Sequence, residues 1–315
     1  MLLAFAACLI GLIALVWSAD RFVESASALA LKLGMSPMTV GLTLVAFGTS
    51  APEIVVSVFA AISGSPGLAI GNVIGSNSAN IGLVLAITLL VAPIAASAAT
   101  RRYELPACLM VTLLAGLLLL DGRLGHVDGL ILLATLALLI ILLWRFPGRH
   151  ELLPTDTPAP TLQRPMLWFI AALLVLLSSA RLLVWGAVQL ATGLGISEAI
   201  IGLTLVAIGT SLPELATAVA AARRGHADLA LGNILGSNIL NLLIVLPVPA
   251  LLAAGPIDSE LLARDYPAML MLSLALMLAV LFAGARPIRR LVGVLLLGLY
   301  LGYMALLASQ TLVGG

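Results

Sequence analysis

GLTLVAFGTSAPE, residues 41–53, returns as GLTLVAIGTSLPE, residues 202–214. The two stretches agree at 11 of 13 positions and stand 161 residues apart. A second pair keeps that offset without a gap: LAIGNVIGSNSAN at 68–80 and LALGNILGSNILN at 229–241, identical at 8 of 13 positions. Apolar stretches often coincide by chance, but these matches include Gly, Thr, Ser, Pro, Glu and Asn. The period is far longer than a solenoid unit. It divides the chain into two related halves.

Composition says what solvent the halves occupy. Of the 315 residues, 62 % are hydrophobic and 9 % charged, with mean hydropathy +1.21. A soluble domain carries about 25 % charge, so there are too few charges here to cover a water-facing surface. The expectation is an all-α membrane protein that crosses the bilayer many times. A net charge of +1 gives no reason to expect a nucleic-acid partner. Cys8 and Cys108 lie in apolar runs and match no zinc spacing. His126, His150 and His226 stand at segment ends. HExxH, GxSxG and P-loop motifs are absent, so neither an enzyme nor a cofactor is expected.

A span needs about 20 apolar residues. Apolar runs read against charged, Gly and Pro punctuation give ten: roughly 2–30, 39–62, 68–94, 104–120, 127–145, 165–192, 199–222, 229–254, 266–284 and 291–311. The first has no basic residues ahead of it, and Asp20–Arg21 stand where a cleavage site would need small residues. It reads as a span rather than a signal peptide. The first and sixth are long enough to tilt.

Basic residues set the orientation. Alternate connections hold Arg21, Lys32, Arg101, Arg102, Arg145, Arg149, Arg164, Arg223, Arg224, Arg286, Arg289 and Arg290, whereas the opposite set holds Arg123 and Arg264. The twelve-residue side is expected in the cytoplasm, with both termini outside. Five spans per half is an odd number, so the second half enters from the opposite face. The halves are then inverted repeats, the architecture of many secondary transporters. The expected organisation is a first five-helix repeat over 1–145, a Pro-rich cytoplasmic linker over 146–164 and a second five-helix repeat over 165–315.

Glu53 and Glu214 are the acidic residues deep inside spans, and they are equivalent by the repeat. An ionisable group at that depth is costly and is a functional candidate by default. Pro52 and Pro213 remove a backbone N–H one residue earlier, leaving the carbonyls of Gly48 and Gly209 without their helical partners. Thr49 and Ser50 precede Glu53 by four and three residues, as Thr210 and Ser211 precede Glu214. These spacings share a helix face. The donors are oxygens, which suit hard cations such as Na⁺ and Ca²⁺.

All six asparagines fall in the second motif. Asn72, Ser76 and Asn80 make one helical stripe, and Asn233, Ser237 and Asn241 make its counterpart. Asn77 and Asn238 lie off the stripe and suit hydrogen bonding between helices. The spacings Gly71–Gly75 and Gly232–Gly236 suit close helix packing. Two carboxylates about 5 Å apart would repel by about 3 kcal/mol at an effective dielectric near 20. A Ca²⁺ ion neutralises both, and Na⁺ ions compete for the same oxygens.

Together the duplicated motifs resemble the alpha repeats of the calcium/cation antiporter superfamily, most nearly its bacterial inner-membrane sodium/calcium exchangers. The resemblance implies ten helices with ion sites among the second, third, seventh and eighth. It also implies alternating access by sliding of the first and sixth. The implied ligands are Ala46, Thr49, Ser50, Glu53, Ser76 and Asn80, with Ala207, Thr210, Ser211, Glu214, Ser237 and Asn241, the alanines through their carbonyls. Many relatives carry Asp at one or both of the positions held here by Asn80 and Asn241. Proton-coupled or other divalent cation antiport is the second reading, and a cation channel the reading from another class. The partners expected are small inorganic cations and membrane lipid, with no obligate protein partner. Arg181, aligned with Asp20, is expected to anchor the sixth helix at the interface, with a gate as the sharper alternative.

Overall fold

The computed structural model describes residues 1–145, 163–194 and 207–313. Its helices are numbered here by span. They are α1 (Leu2–Leu33), the bent α2 (Pro37–Thr49 and Ala51–Ile62), α3 (Pro66–Val91), α4 (Thr100–Leu119) and α5 (His126–Arg145). The second half supplies α6 (Gln163–Gly193), α7 (Ala207–Thr210 and Leu212–Arg223), α8 (Ala227–Leu252), α9 (Leu261–Ala283) and α10 (Arg290–Val313). Among the described residues seven helices are long and apolar enough to span a bilayer, or eight with the bent pair taken as one. Helix α5 is apolar but shorter over its described part. The expected beginning of the seventh span lies outside the described residues, as does the linker apart from Gln163 and Arg164, which open α6.

Helices α3 and α8 form the centre: 78 % and 72 % of their most apolar windows are buried, against 17 % for α10. The two helices carrying the Asn and Ser stripes are therefore the ones farthest from lipid. Around them the repeat is crossed over. Helix α10 packs on the second part of α3, and α5 packs on the second part of α8. The first part of α2 lies against α8. Large apolar side chains such as Phe5, Phe59, Phe282 and Leu291 face outward.

Within lipid there is no hydrophobic drive holding helix to helix, so close approach of small residues takes its place. A Cβ on Gly232 would stand 2.6 Å from the Met38 carbonyl oxygen, and one on Gly236 would stand 2.5 Å from that of Leu42. Helices α2 and α8 thus touch backbone to backbone, as the Gly232–Gly236 spacing led one to expect. Residues 199 and 203, equivalent by the repeat to Met38 and Leu42, lie outside the described residues. Helix α1 lies along α6, where a Cβ on Gly186 would meet the Ala4 carbonyl oxygen at 2.7 Å. At about 1.5 Å per residue, 32 residues of α1 reach about 48 Å, well beyond about 30 Å of hydrocarbon.

Irregular turns repeat as well. Asn80–Leu85 in α3 and Asn241–Val245 in α8 are π-helical, and so are Thr100–Glu104 in α4 and Leu261–Asp265 in α9. Each pair is separated by 161 residues. A π-turn accommodates one extra residue and is frequent at functional sites. The last two turns also correct the sequence reading, which began these spans at about 104 and 266, after Arg101–Arg102 and Arg264–Asp265. Those charges sit inside the first turn because local partners hold them. Arg101 donates to the carbonyls of Ala96 and Gly284, and Arg264 donates to Asp265.

Contacts between connections fall at two ends. Ile94 bridges Ile288, and Arg101 reaches Gly284. Elsewhere Arg123–Leu124 pairs antiparallel with Gly255–Pro256. Each contact joins segments that the count of basic residues assigns to the same side. Arg224, in the α7–α8 turn, pairs with Asp20 at 3.2 Å and Glu24 at 3.8 Å on α1. That turn and the α2–α3 turn pass through Gly225 (φ 80°) and Gly64 (φ 74°), a left-handed backbone that glycine adopts without Cβ strain.

Candidate ion-binding site

Helix α2 bends by 46° between Thr49 and Ala51. Ser50 at the break has φ −80° and ψ 6°, and Ser211 in α7 has φ −89° and ψ 5°. The physical cause is the proline two residues on, which has no N–H to continue the ladder and is tolerated at the start of a new helix. Glu53 and Glu214 occupy the first turns of those new helices. A helix N-terminus favours a negative charge. Both side chains are 1 % exposed.

The two halves meet across this break. Ser50 Oγ donates to Glu214 Oε1 at 3.4 Å, linking the first repeat to the carboxylate of the second. Each carboxylate keeps one oxygen, Oε2, buried without a hydrogen-bond partner. Thr49, Ser50, Ser76, Ser211, Ser237, Asn80 and Asn241 are all buried beside them on α2, α3, α7 and α8. Thr210 is half-buried at the end of its short helix.

Four further oxygens share the condition of the two carboxylate atoms. Ser211 Oγ, Ser237 Oγ, Asn80 Oδ1 and Asn241 Oδ1 are buried and unpartnered. Leaving a buried polar group unsatisfied costs about 1–3 kcal/mol each. Four of the six are pairs related by the repeat, Glu53 with Glu214 and Asn80 with Asn241. All six are oxygens of the carboxylate, amide and hydroxyl types that hard cations take.

The carbonyl of Ala46 accepts from the Ser50 N–H at 2.9 Å and from Thr49 Oγ1 at 3.3 Å. Thr49 Oγ1 also lies 3.1 Å from Asn233 Oδ1. With its single proton turned to Asn233, the Ala46 carbonyl regains a lone pair. Ala207 begins its helical segment as Ala46 begins the matching one.

The six asparagines separate by role. Asn72, at the start of the stripe, makes bonds between helices. Its amide donates to the Glu53 carbonyl and to Ser57 Oγ, both at 3.3 Å, and ties α3 to α2. Asn233, its equivalent, instead accepts from Thr49. The counterpart of Ser57 is Ala218, which has no hydroxyl to receive an amide, and Asn233 Nδ2 is buried without a hydrogen-bond partner. Ser57 was missed from sequence, although it follows Glu53 by four residues and so shares its face. Thr217, three residues after Glu214, was missed likewise, and its hydroxyl is buried without a partner. Arg181 is exposed on α6, and it takes no part in the cluster.

The model of the family described as sodium/calcium exchanger protein matches residues 3–145 and 164–308. The putative antiporter CaxA of Alkalimonas amylolytica is 45 % identical, over 98 % of this chain and 100 % of its own. The inner membrane protein YrbG of Escherichia coli K12 is 41 % identical over 98 % of this chain and 97 % of its own. A solved structure of the sodium-calcium exchanger NCX_Mj, soaked with Na⁺ and Sr²⁺, superposes with a TM-score of 0.83 at 34 % identity, covering 96 % of this chain and 98 % of that one.

Proposed function

This chain belongs to the sodium/calcium exchanger protein family, and from that premise we propose that it exchanges Ca²⁺ for Na⁺ across the membrane, with both ions using the oxygens around Glu53 and Glu214. The observation that carries the reading is the set of six buried, unpartnered oxygens contributed by α2, α3, α7 and α8. A cation supplies the partner each lacks. The ligands we assign are Glu53, Glu214, Thr49, Ser50, Ser76, Asn80, Thr210, Ser211, Ser237 and Asn241, with the carbonyls of Ala46 and Ala207.

The chemistry of exchange follows from competition. Ca²⁺ neutralises both carboxylates and takes six to eight oxygens. Na⁺ carries half that charge and needs fewer donors, so sodium ions divide the same set. Occupancy by either cargo cancels the charge that makes the empty site costly to carry through the membrane interior. An emptied site resists inversion, which couples the two fluxes. We place this alternating-access transport on ten spans arranged as inverted repeats over 1–145 and 165–315.

The test is radiolabelled calcium uptake into proteoliposomes holding the purified protein. An outward sodium gradient should drive uptake several-fold above a sodium-free control, and potassium should not substitute. Uptake driven by a proton gradient and indifferent to sodium would replace this reading with proton-coupled antiport. Uptake down the calcium gradient with no counter-ion would point to a channel.

YrbG is named as an inner membrane protein, and the placement proposed here is the bacterial inner membrane with both termini outside and residues 146–164 in the cytoplasm. Its support is the asymmetry of basic residues together with contacts that join only like-sided segments. Single cysteines placed in 146–164 should be protected from an impermeant thiol reagent added to intact cells, in a background lacking Cys8 and Cys108. Cysteines at either terminus should react. Labelling of the linker would overturn the orientation.

A further inference from the structure

Asn77 and Asn238 are not ligands in the set above, yet they hold the two amides that are. Asn241 Nδ2 donates to Asn77 Oδ1 at 3.0 Å, and Asn80 Nδ2 donates to Asn238 Oδ1 at 3.0 Å. Asn77 and Asn238 are themselves tied down. Asn77 Nδ2 donates to the Asn238 carbonyl at 3.2 Å, and Asn238 Nδ2 returns the bond to the Asn77 carbonyl at 3.5 Å. The four residues form one closed, two-fold arrangement between α3 and α8. All four are 1 % exposed.

An asparagine amide has one oxygen end and one NH₂ end, and the two fit nearly the same space. Beside a cation only the oxygen end is attractive. Which end faces the site depends on what holds the other. In each ligand amide the NH₂ is occupied by an asparagine of the opposite repeat, and Oδ1 is the atom left buried without a partner. We infer that Asn77 and Asn238 are positioning residues for cation binding, which fix the Asn241 and Asn80 amides with their oxygens toward the ion. Each repeat thereby orients a ligand of the other. The inference rests on the reading of Asn80 and Asn241 as ligands.

A packing role and a positioning role separate in a double-mutant cycle. A carboxylate has two equivalent oxygens and no wrong end, so an aspartate at 241 needs no amide to orient it. Asn77→Ala should lower calcium affinity by about tenfold or more in the otherwise native protein, the scale seen when groups that orient metal ligands are removed. In the Asn241→Asp background the same change should cost little. The change there also removes the Asn77 oxygen that would face the new carboxylate. Calorimetric calcium titration of each purified protein gives the four affinities, and gel filtration confirms that each is folded.

Equal losses in both backgrounds, or no loss in the native background, would overturn the inference. Should Asn77→Ala fail to fold, Asn238→Ala tested with and without Asn80→Asp is the mirror experiment and decides the matter by the same comparison. Failure of the underlying reading looks different. If Asn80→Ala and Asn241→Ala both bind calcium as the native protein does, the amides are not ligands and the inference falls with them.

Discussion

Replacing Glu53 with glutamine is expected to abolish calcium transport, and replacing Glu214 to do the same, while each protein still folds. Glutamine keeps the volume and one carbonyl oxygen but carries no charge. Next to a divalent ion, one missing carboxylate forfeits more than about 3 kcal/mol even at an effective dielectric near 20, which is about a hundredfold in affinity. Folding should survive because the native side chains already have unpartnered oxygens, so the neutral amide leaves no larger debt. Gradient-driven uptake by proteoliposomes is the measurement. Uptake near the native level by either purified variant would remove that carboxylate from the site.

The second large effect concerns the contact of α2 with α8. Gly236→Leu should yield no folded monomer in detergent. A Cβ at Gly236 would lie 2.5 Å from the Leu42 carbonyl oxygen and 2.7 Å from Ala46 Cβ. One partner is backbone and the other a short side chain, so neither can swing aside. The smaller Gly236→Ala should cost about 1–3 kcal/mol, the usual penalty of overpacking, and should lower the thermal transition. Gly64→Ala is the control. Its Cβ would meet open space, and only the φ of 74° opposes it, at about 1–2 kcal/mol. Folded, active Gly236→Leu protein would show that α2 and α8 do not need to touch.

The same residues show what a reading of sequence reaches. The carboxylates were legible because duplicated polar motifs stand out in an apolar chain, and Pro52 and Pro213 announced the breaks beside them. The π-turns were not legible. One extra residue in Asn80–Leu85 or Asn241–Val245 rotates the stripe without changing its composition, so no periodicity reports it. Nor could spacing separate Asn72 from Asn80. The difference lies in what stands opposite: Ser57 and the Glu53 carbonyl for one, an asparagine of the other repeat for the other. Asn72 and Asn233 occupy equivalent positions, yet Asn72 Nδ2 donates to Ser57 whereas the equivalent of Ser57 is Ala218 and Asn233 Nδ2 has no partner. Helix starts at Thr100 and Leu261 were hidden by charges that the fold pairs locally.

The central claim is that sodium and calcium share one set of oxygens around Glu53 and Glu214. Calcium titration of the purified protein at increasing sodium, at constant ionic strength, tests it most directly. Apparent calcium affinity should fall continuously as sodium rises, more steeply than one-for-one competition allows, because several sodium ions replace one calcium. A calcium affinity unchanged by sodium would contradict it, since two ions that use the same carboxylates cannot bind independently.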